Sequence, residues 1–209
     1  MSRLLYIEAS PSKKRSHTIA AARAFLAGYQ HSHPGHAVET LDLWRAELPP
    51  FDEDTIEAKF AVLRNKSFTP RQLETWSAVQ QVSRHFNGFD RYLIATPMWN
   101  FGVPYVLKHF IDVVTLAGEN WTWTPAAGYL PLLTGKKAAL IYSSAGAYGI
   151  GPGYDESDFQ KPYLRRWLNF IGVHDIAEIA IAPTLADSAR VAAVDAEAQA
   201  QASGLARTF

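Results

Sequence analysis

Apolar positions along this chain keep two rhythms. Short, nearly continuous apolar runs recur at Arg3 to Glu8, Ala37 to Leu43, Arg91 to Thr96, Lys137 to Ser143 and Asp175 to Ala182. Runs of this length, bounded by polar or turn residues, read as strands, and the most apolar of them as strands covered on both faces. Between them, apolar residues recur every three or four positions, the spacing of one helix face. Ile19, Ala22, Leu26 and Tyr29 share a face behind Ser16 as N-cap, and Gly28 with the His31-Ser32-His33-Pro34-Gly35 cluster is expected to end that helix. Asp54 to Leu63 reads as a short helix after the Pro49-Pro50 break. Thr69 as cap and Pro70 at the first helical position open another, with Leu73, Trp76 and Val79 as its apolar contacts. Leu107, Phe110, Ile111 and Val114 mark a helix over Val106 to Val114. Tyr163, Leu164, Trp167, Leu168 and Ile171 mark one that Gly172 stops, and the Ala-rich stretch Ser188 to Ser203 gives a last one.

Strands alternating with helices predict an α/β protein whose parallel sheet is covered on both faces. Five strands fit a doubly wound, flavodoxin-like order 2-1-3-4-5 better than a six-stranded dinucleotide fold. No repeat or composition break divides the chain, so residues 1–209 are read as one domain. Hydrophobic residues make up 48%, enough for a sizeable core. Lys+Arg and Asp+Glu both count 20, a balance that argues against nucleic acid as a partner. Cysteine is absent, which excludes disulfides, thiolate metal sites and a cysteine nucleophile. The first apolar run is too short for a signal peptide, and no run reaches membrane-spanning length. A cytoplasmic protein that does not bind membranes is the expectation.

Several motifs fail on context. Gly149-Ile150-Gly151-Pro152-Gly153 has the wrong spacing for a dinucleotide fingerprint and reads as a lid. Gly135-Lys136 lacks the upstream glycine of a P-loop, and no serine has the flanking glycines of a nucleophile elbow. His31, His33 and His36 read as a solvated turn, so no metal site is expected.

In a parallel sheet the loops after strands one, three and four converge at the switch point of the strand order, where ligands bind. The first, Ser10 to Thr18, offers the hydroxyls of Ser10, Ser16 and Thr18, with His17 among them and free N–H groups at a helix start. Lys13, Lys14 and Arg15 add positive potential. It reads as a monophosphate cradle, or as an ordinary capped helix after a basic turn. The second, Pro97-Met98-Trp99-Asn100-Phe101 up to Pro104, sets a thioether, an indole, a carboxamide and a phenyl ring side by side. That mixture suits a flat heteroaromatic ligand with polar edges, or packs a Pro-bounded turn on the core. The third, Ser144 to Tyr154, opens with Ser144-Ala145-Gly146-Ala147, small residues that let backbone approach a ring. Taken together, a phosphate cradle and two loops around a planar polar heterocycle describe a site for a flavin mononucleotide.

At these residues the chain resembles the FMN-dependent NADH-azoreductase family of flavodoxin-like quinone reductases, over nearly its whole length. The family's Pro-Met-Tyr-Asn-Phe motif stands as Pro97-Met98-Trp99-Asn100-Phe101, and its phosphate loop matches at Ser10 and Ser16-His17-Thr18. Leu132 to Lys137, Tyr163-Leu164 and Phe170-Ile171-Gly172-Val173 are further landmarks. The resemblance implies a homodimer with FMN near the interface, Ser10, Ser16, His17 and Thr18 at the phosphate, Pro97 to Phe101 at the isoalloxazine and Ser144 to Ala147 at its other edge. It suggests Trp121 and Trp123, with Tyr148, in a modified acceptor pocket, or both indoles as interface packing. NADH or NADPH would be the donor, a quinone or azo compound the acceptor, and the reaction a ping-pong two-electron hydride transfer in which no side chain is named as acid, base or nucleophile. Trp99 replaces the usual tyrosine, and Ala145 and Ala147 replace an arginine and a glycine. The rival readings are a flavodoxin-type electron carrier acting on a protein, and a phosphoesterase built on Ser16-His17.

Overall fold

The computed structural model describes residues 1–64, 66–148 and 155–209. In chain order the elements are β1 (Arg3–Glu8), α1 (His17–Ser32), β2 (Ala37–Asp42), α2 (Glu53–Leu63), α3 (Pro70–Asn87), β3 (Arg91–Pro97), α4 (Tyr105–Val114), β4 (Trp121–Thr124), β5 (Gly128–Pro131), β6 (Lys137–Ser143), α5 (Gln160–Ile171), β7 (Asp175–Ile181) and α6 (Ser188–Ala206). The main sheet has the order β2-β1-β3-β6-β7 and is parallel throughout. Numbered among themselves, its strands follow the expected 2-1-3-4-5. The order reverses between β1 and β3, which makes their carboxyl ends the switch point.

Alternation along the strands sorts the core into two layers. Leu5, Ile7, Tyr92, Ile94, Leu140 and Tyr142 pack with Phe86 of α3, Phe110 of α4 and Trp167 of α5. Leu4, Tyr6, Leu93, Ala139, Ile141 and Ile179 pack with Phe25 of α1 and Val194 of α6. A smaller cluster, Ala58, Trp76, Val79, Val113 and Leu116, joins α2 to α3 and α4.

Two expectations need correction. Helix α1 ends within the expected His31 to Gly35 cluster, at Ser32 with His33 as C-cap, but Gly28 has no part in ending it. A Cβ at Gly28 would lie 3.1 Å from the Ser203 carbonyl oxygen and 3.3 Å from Ala206 Cβ, so this glycine serves the close approach of α1 to α6. The alanines of α6, among them Ala198, Ala202 and Ala206, supply the matching small surface. Second, the segment between α4 and β6 holds an antiparallel hairpin, β4–β5, that the strand count lacked. Its strands are four residues each, too short for a periodic signal. The Thr69 cap is borne out as a full capping box with Gln72, and Gly172 ends α5 at φ 107°.

Candidate functional site

The first loop leaves β1 at Ser10, which is buried. One tight turn over Lys13–Arg15 delivers Ser16 to the N-cap of α1. Ser16 Oγ accepts the Ile19 N–H at 3.3 Å and lies 3.1 Å from Thr18 Oγ1, and both side chains are buried. The Ala20 N–H closes on the Ser16 carbonyl at 3.1 Å. The N–H groups of His17 and Thr18 therefore head the helix, at the positive end of its macrodipole. The Ser16 and Thr18 hydroxyls beside helix-head amides are the donor types of a phosphate site. The ring of His17 is engaged elsewhere: Nδ1–H donates to Asp195 of α6, 2.8 and 2.9 Å from the two carboxylate oxygens.

Lys13 does not add free positive potential, contrary to the sequence reading. Its Nζ lies 2.5 Å from Glu8 Oε1 and 2.6 Å from Asp42 Oδ2, at the ends of β1 and β2. Lys14 and Arg15 are exposed.

The second loop is a tight reversal. Met98 N–H donates to the Ser143 carbonyl at 2.7 Å, extending the β3–β6 pairing. Trp99 and Gly102 then exchange both backbone bonds, at 3.0 and 2.9 Å. The two residues between them, Asn100 at φ 46° and Phe101 at φ 68°, are left-handed, the signature of a type I′ turn. Asparagine tolerates that conformation, but phenylalanine occupies it at a cost. The turn presents Trp99, Asn100 and Phe101 at the surface. Pro97 and Met98 stay half-buried. The Phe101 carbonyl accepts from Phe159 N–H at 2.9 Å, and Tyr148 of the third loop meets the Phe101 ring edge-on at 5.9 Å.

The third loop is tied down from β7. Ser144 N–H donates to the Ile181 carbonyl at 3.2 Å, while the Ser144 carbonyl accepts Thr184 N–H at 3.0 Å and Thr184 Oγ1–H at 3.1 Å. Leu185 N–H donates to the Ala145 carbonyl at 3.2 Å, and Ser144 Oγ donates to the Gly146 carbonyl at 2.7 Å. Ala145 is exposed, with Gly146, Ala147 and Tyr148 half-buried. The expected lid at 149–153 lies outside the described residues.

Ser10, Ser16 and Thr18, the turn at 99–102, Ser144 to Ala147, and Tyr148 thus all belong to loops at one sheet edge. Trp121 and Trp123 do not join them within this chain. Trp121 is buried against Tyr129 and Phe170 and lines a cavity of about 530 Å³ with Ile111 and Trp167. Trp123 is exposed on the hairpin. Neither lines the cavity beside Trp99, whose walls include Phe51, Asn100 and Tyr105.

Sequence reasoning missed two contributors. Trp44, just past β2, donates its indole N–H to the Ala9 carbonyl at 3.0 Å and packs on Trp99 and Tyr105, with ring centres 5.7 and 5.5 Å away. The loop after β2 leaves the same sheet edge, and the position of Trp44 two residues past the strand end was the available signal. Gln160, fully buried at the start of α5, donates to the Thr96 carbonyl at 3.3 Å beneath the second loop. Asp158 fastens that helix start by accepting the Gln160 and Lys161 N–H groups at 3.0 Å and the Lys161 ammonium.

An open parallel sheet with its crevice at the β1–β3 switch point makes this a flavodoxin-like α/β protein. A family model described as the flavodoxin-like fold matches residues 2–205. FMN-dependent NADH:quinone oxidoreductase of Desulfotalea psychrophila is 40% identical over 207 residues, covering 99% of this chain and 97% of that one. FMN-dependent NADH:quinone oxidoreductase 9 of Burkholderia lata is 40% identical over 188 residues, covering 88% and 89%. The crystal structure of an azoreductase from Bacillus anthracis superposes with a TM-score of 0.91 at 25% identity over the whole of both chains. The chain belongs to the flavodoxin-like family, with the FMN-dependent NADH:quinone oxidoreductases as its relatives.

Proposed function

We propose that this chain is an FMN-dependent NADH:quinone oxidoreductase that also takes azo compounds, working by alternate use of one pocket by donor and acceptor. The observation that carries the reading is the pair of buried hydroxyls, Ser16 and Thr18, at the head of α1, with buried Ser10 on the same loop and the left-handed turn at Asn100 and Phe101 on another loop of that sheet edge. The residues present fit a flavin mononucleotide. Ser10, Ser16, Thr18 and the backbone N–H groups of His17 and Thr18 would hold its phosphate. Pro97, Met98, Trp99, Asn100 and Phe101 would flank the ring system, with Ser144, Ala145, Gly146 and Ala147 at its other edge. When bound, FMN supplies the two-electron chemistry between NADH and the acceptor.

The chain's own task is to position and to shield. The capped helix head would hold a dianion by dipole and donors, with Lys14 and Arg15 exposed on the same loop. The type I′ turn is fixed by its paired backbone bonds and by Phe159, and the exposed Asn100 carboxamide it carries would bond a polar ring edge. Tyr148 over Phe101 adds apolar cover. Trp123 would reach a pocket only from a second copy, while Trp121 is buried within its own chain. This fits the proposal of a homodimer, as do the exposed Trp123 and Tyr129 of the hairpin and Phe159 at the head of α5. No helix among the described residues is long and apolar enough to cross a membrane, which is consistent with the proposed cytoplasmic location.

The test is flavin content followed by kinetics. Purified protein should carry or take up FMN, and steady-state NADH oxidation with a quinone should give parallel double-reciprocal lines as both substrates vary. A protein that takes up no FMN refutes the reading. A flavoprotein with almost no NADH:quinone turnover is instead an electron carrier.

A further inference from the structure

We propose that Lys13 is a charge-masking residue: it lets the head of α1 accept a phosphate dianion beside two carboxylates, and so sets the preference for FMN over riboflavin. The inference rests on reading that helix head as the phosphate site. Parallel pairing of β1 with β2 places Glu8 directly beside Asp42 at the carboxyl edge. Two like charges there oppose each other and any anion bound nearby. The first loop leaves that same edge and reaches Ser16 only a few residues later.

Lys13 answers both carboxylates at once, 2.5 Å from Glu8 and 2.6 Å from Asp42. Burial alone would lower its pKa, but hydrogen bonds and charge from Asp42 and Glu8 more than reverse this, and the ammonium titrates above the ordinary lysine range. The backbone pays for the arrangement. Lys13 sits at φ 41°, a left-handed conformation that turns its side chain back onto the strands while Lys14 and Arg15 are exposed. The carboxylates have other anchors. Tyr6 OH donates to Glu8 Oε2 at 3.1 Å, and Trp44 N–H donates to Asp42 Oδ1 at 3.1 Å. They would therefore stay in place if Lys13 were removed. Arg45, 3.6 Å from Asp42 with its side chain 82% exposed, is a weak substitute.

With Lys13 the cluster carries one net negative charge, and without it two. By Coulomb's law, one charge added at a separation on the order of 10 Å from a dianion, in an effective dielectric of about 40 to 80, weakens binding about four- to fifteenfold. The effect shrinks as salt shortens the screening length.

The experiment is equilibrium binding of FMN and of riboflavin to the flavin-stripped full-length protein, followed by flavin fluorescence. Lys13→Met should weaken FMN by that factor and leave riboflavin within about twofold, while Lys13→Arg keeps both affinities. Glu8→Gln with Asp42→Asn, Lys13 retained, should tighten FMN and leave riboflavin unchanged, which tests the idea even if Lys13→Met does not fold. Equal loss of both flavins in Lys13→Met, or unchanged FMN affinity in the Glu8→Gln/Asp42→Asn protein, overturns charge masking. A wild-type protein that binds riboflavin as tightly as FMN overturns the phosphate-site reading itself.

Discussion

Asn100 separates a structural demand from a chemical one. Its backbone is left-handed at φ 46° inside the type I′ turn, and its carboxamide is exposed at the sheet edge. Asn100→Gly keeps the turn and removes the carboxamide. Glycine enters that conformation freely but loses about 0.5–1 kcal/mol to the entropy of the unfolded chain, so the net effect on stability should be near zero. Asn100→Ala also removes the carboxamide, and must put a Cβ into the left-handed region at about 1–2 kcal/mol. For a chain of this size, a difference of about 1 kcal/mol separates the two melting midpoints by about 2–4 °C. If the carboxamide bonds the flavin, both variants lose one hydrogen bond, worth about 0.5–1.5 kcal/mol, and FMN binds about two- to twelvefold more weakly in each. Thermal melts of the flavin-free proteins and FMN titrations check the two halves separately. Equal melting points would refute the argument from the turn, and wild-type FMN affinity in Asn100→Gly would refute the role given to the carboxamide.

Other outcomes follow from the same geometry. Gly172→Ala should destabilise by about 3 kcal/mol or more in urea unfolding, because it adds left-handed strain to a Cβ that would lie 2.1 Å from the Leu133 carbonyl oxygen; a loss under about 1 kcal/mol would contradict the packing. Asp158 opposes its own burial with bonds from the Lys161 side chain and from the Lys161 and Gln160 backbone, and its pKa lies below the usual carboxylate range. Its folded-state pKa is depressed, so its stabilisation is complete above the unfolded value and drains as pH falls through the folded one. Melting points taken from pH 6 to pH 3 should therefore fall more steeply for the wild type than for Asp158→Asn. Parallel slopes would remove Asp158 from the acid response.

Strand positions, the Ser16 and Thr69 caps and the Gly172 stop were legible because each is a local rule: alternation, a hydroxyl before a helix, a glycine after one. The convergence of the three loops followed from strand order alone. Gly28 was misread as a stop because a glycine at a helix end and a glycine under a neighbouring helix look alike until α6 is in place. Lys13 was misread as a free cation for a related reason. Its partners are Glu8, five residues away, and Asp42, twenty-nine away, and only the β1–β2 register makes those two neighbours.

What the sequence determined by itself was the alternation of strands and helices, and with it the sheet edge where a ligand belongs, since periodicity and chain direction are properties of short segments. What only the tertiary structure decided was which groups at that edge are available. Pairing of distant side chains committed Lys13 to two carboxylates and His17 to Asp195, brought Trp44 onto Trp99, and kept the hairpin indoles away from the crevice. Charge and hydrogen-bonding capacity are set by what lies within a few ångströms in space, and sequence distance does not report it.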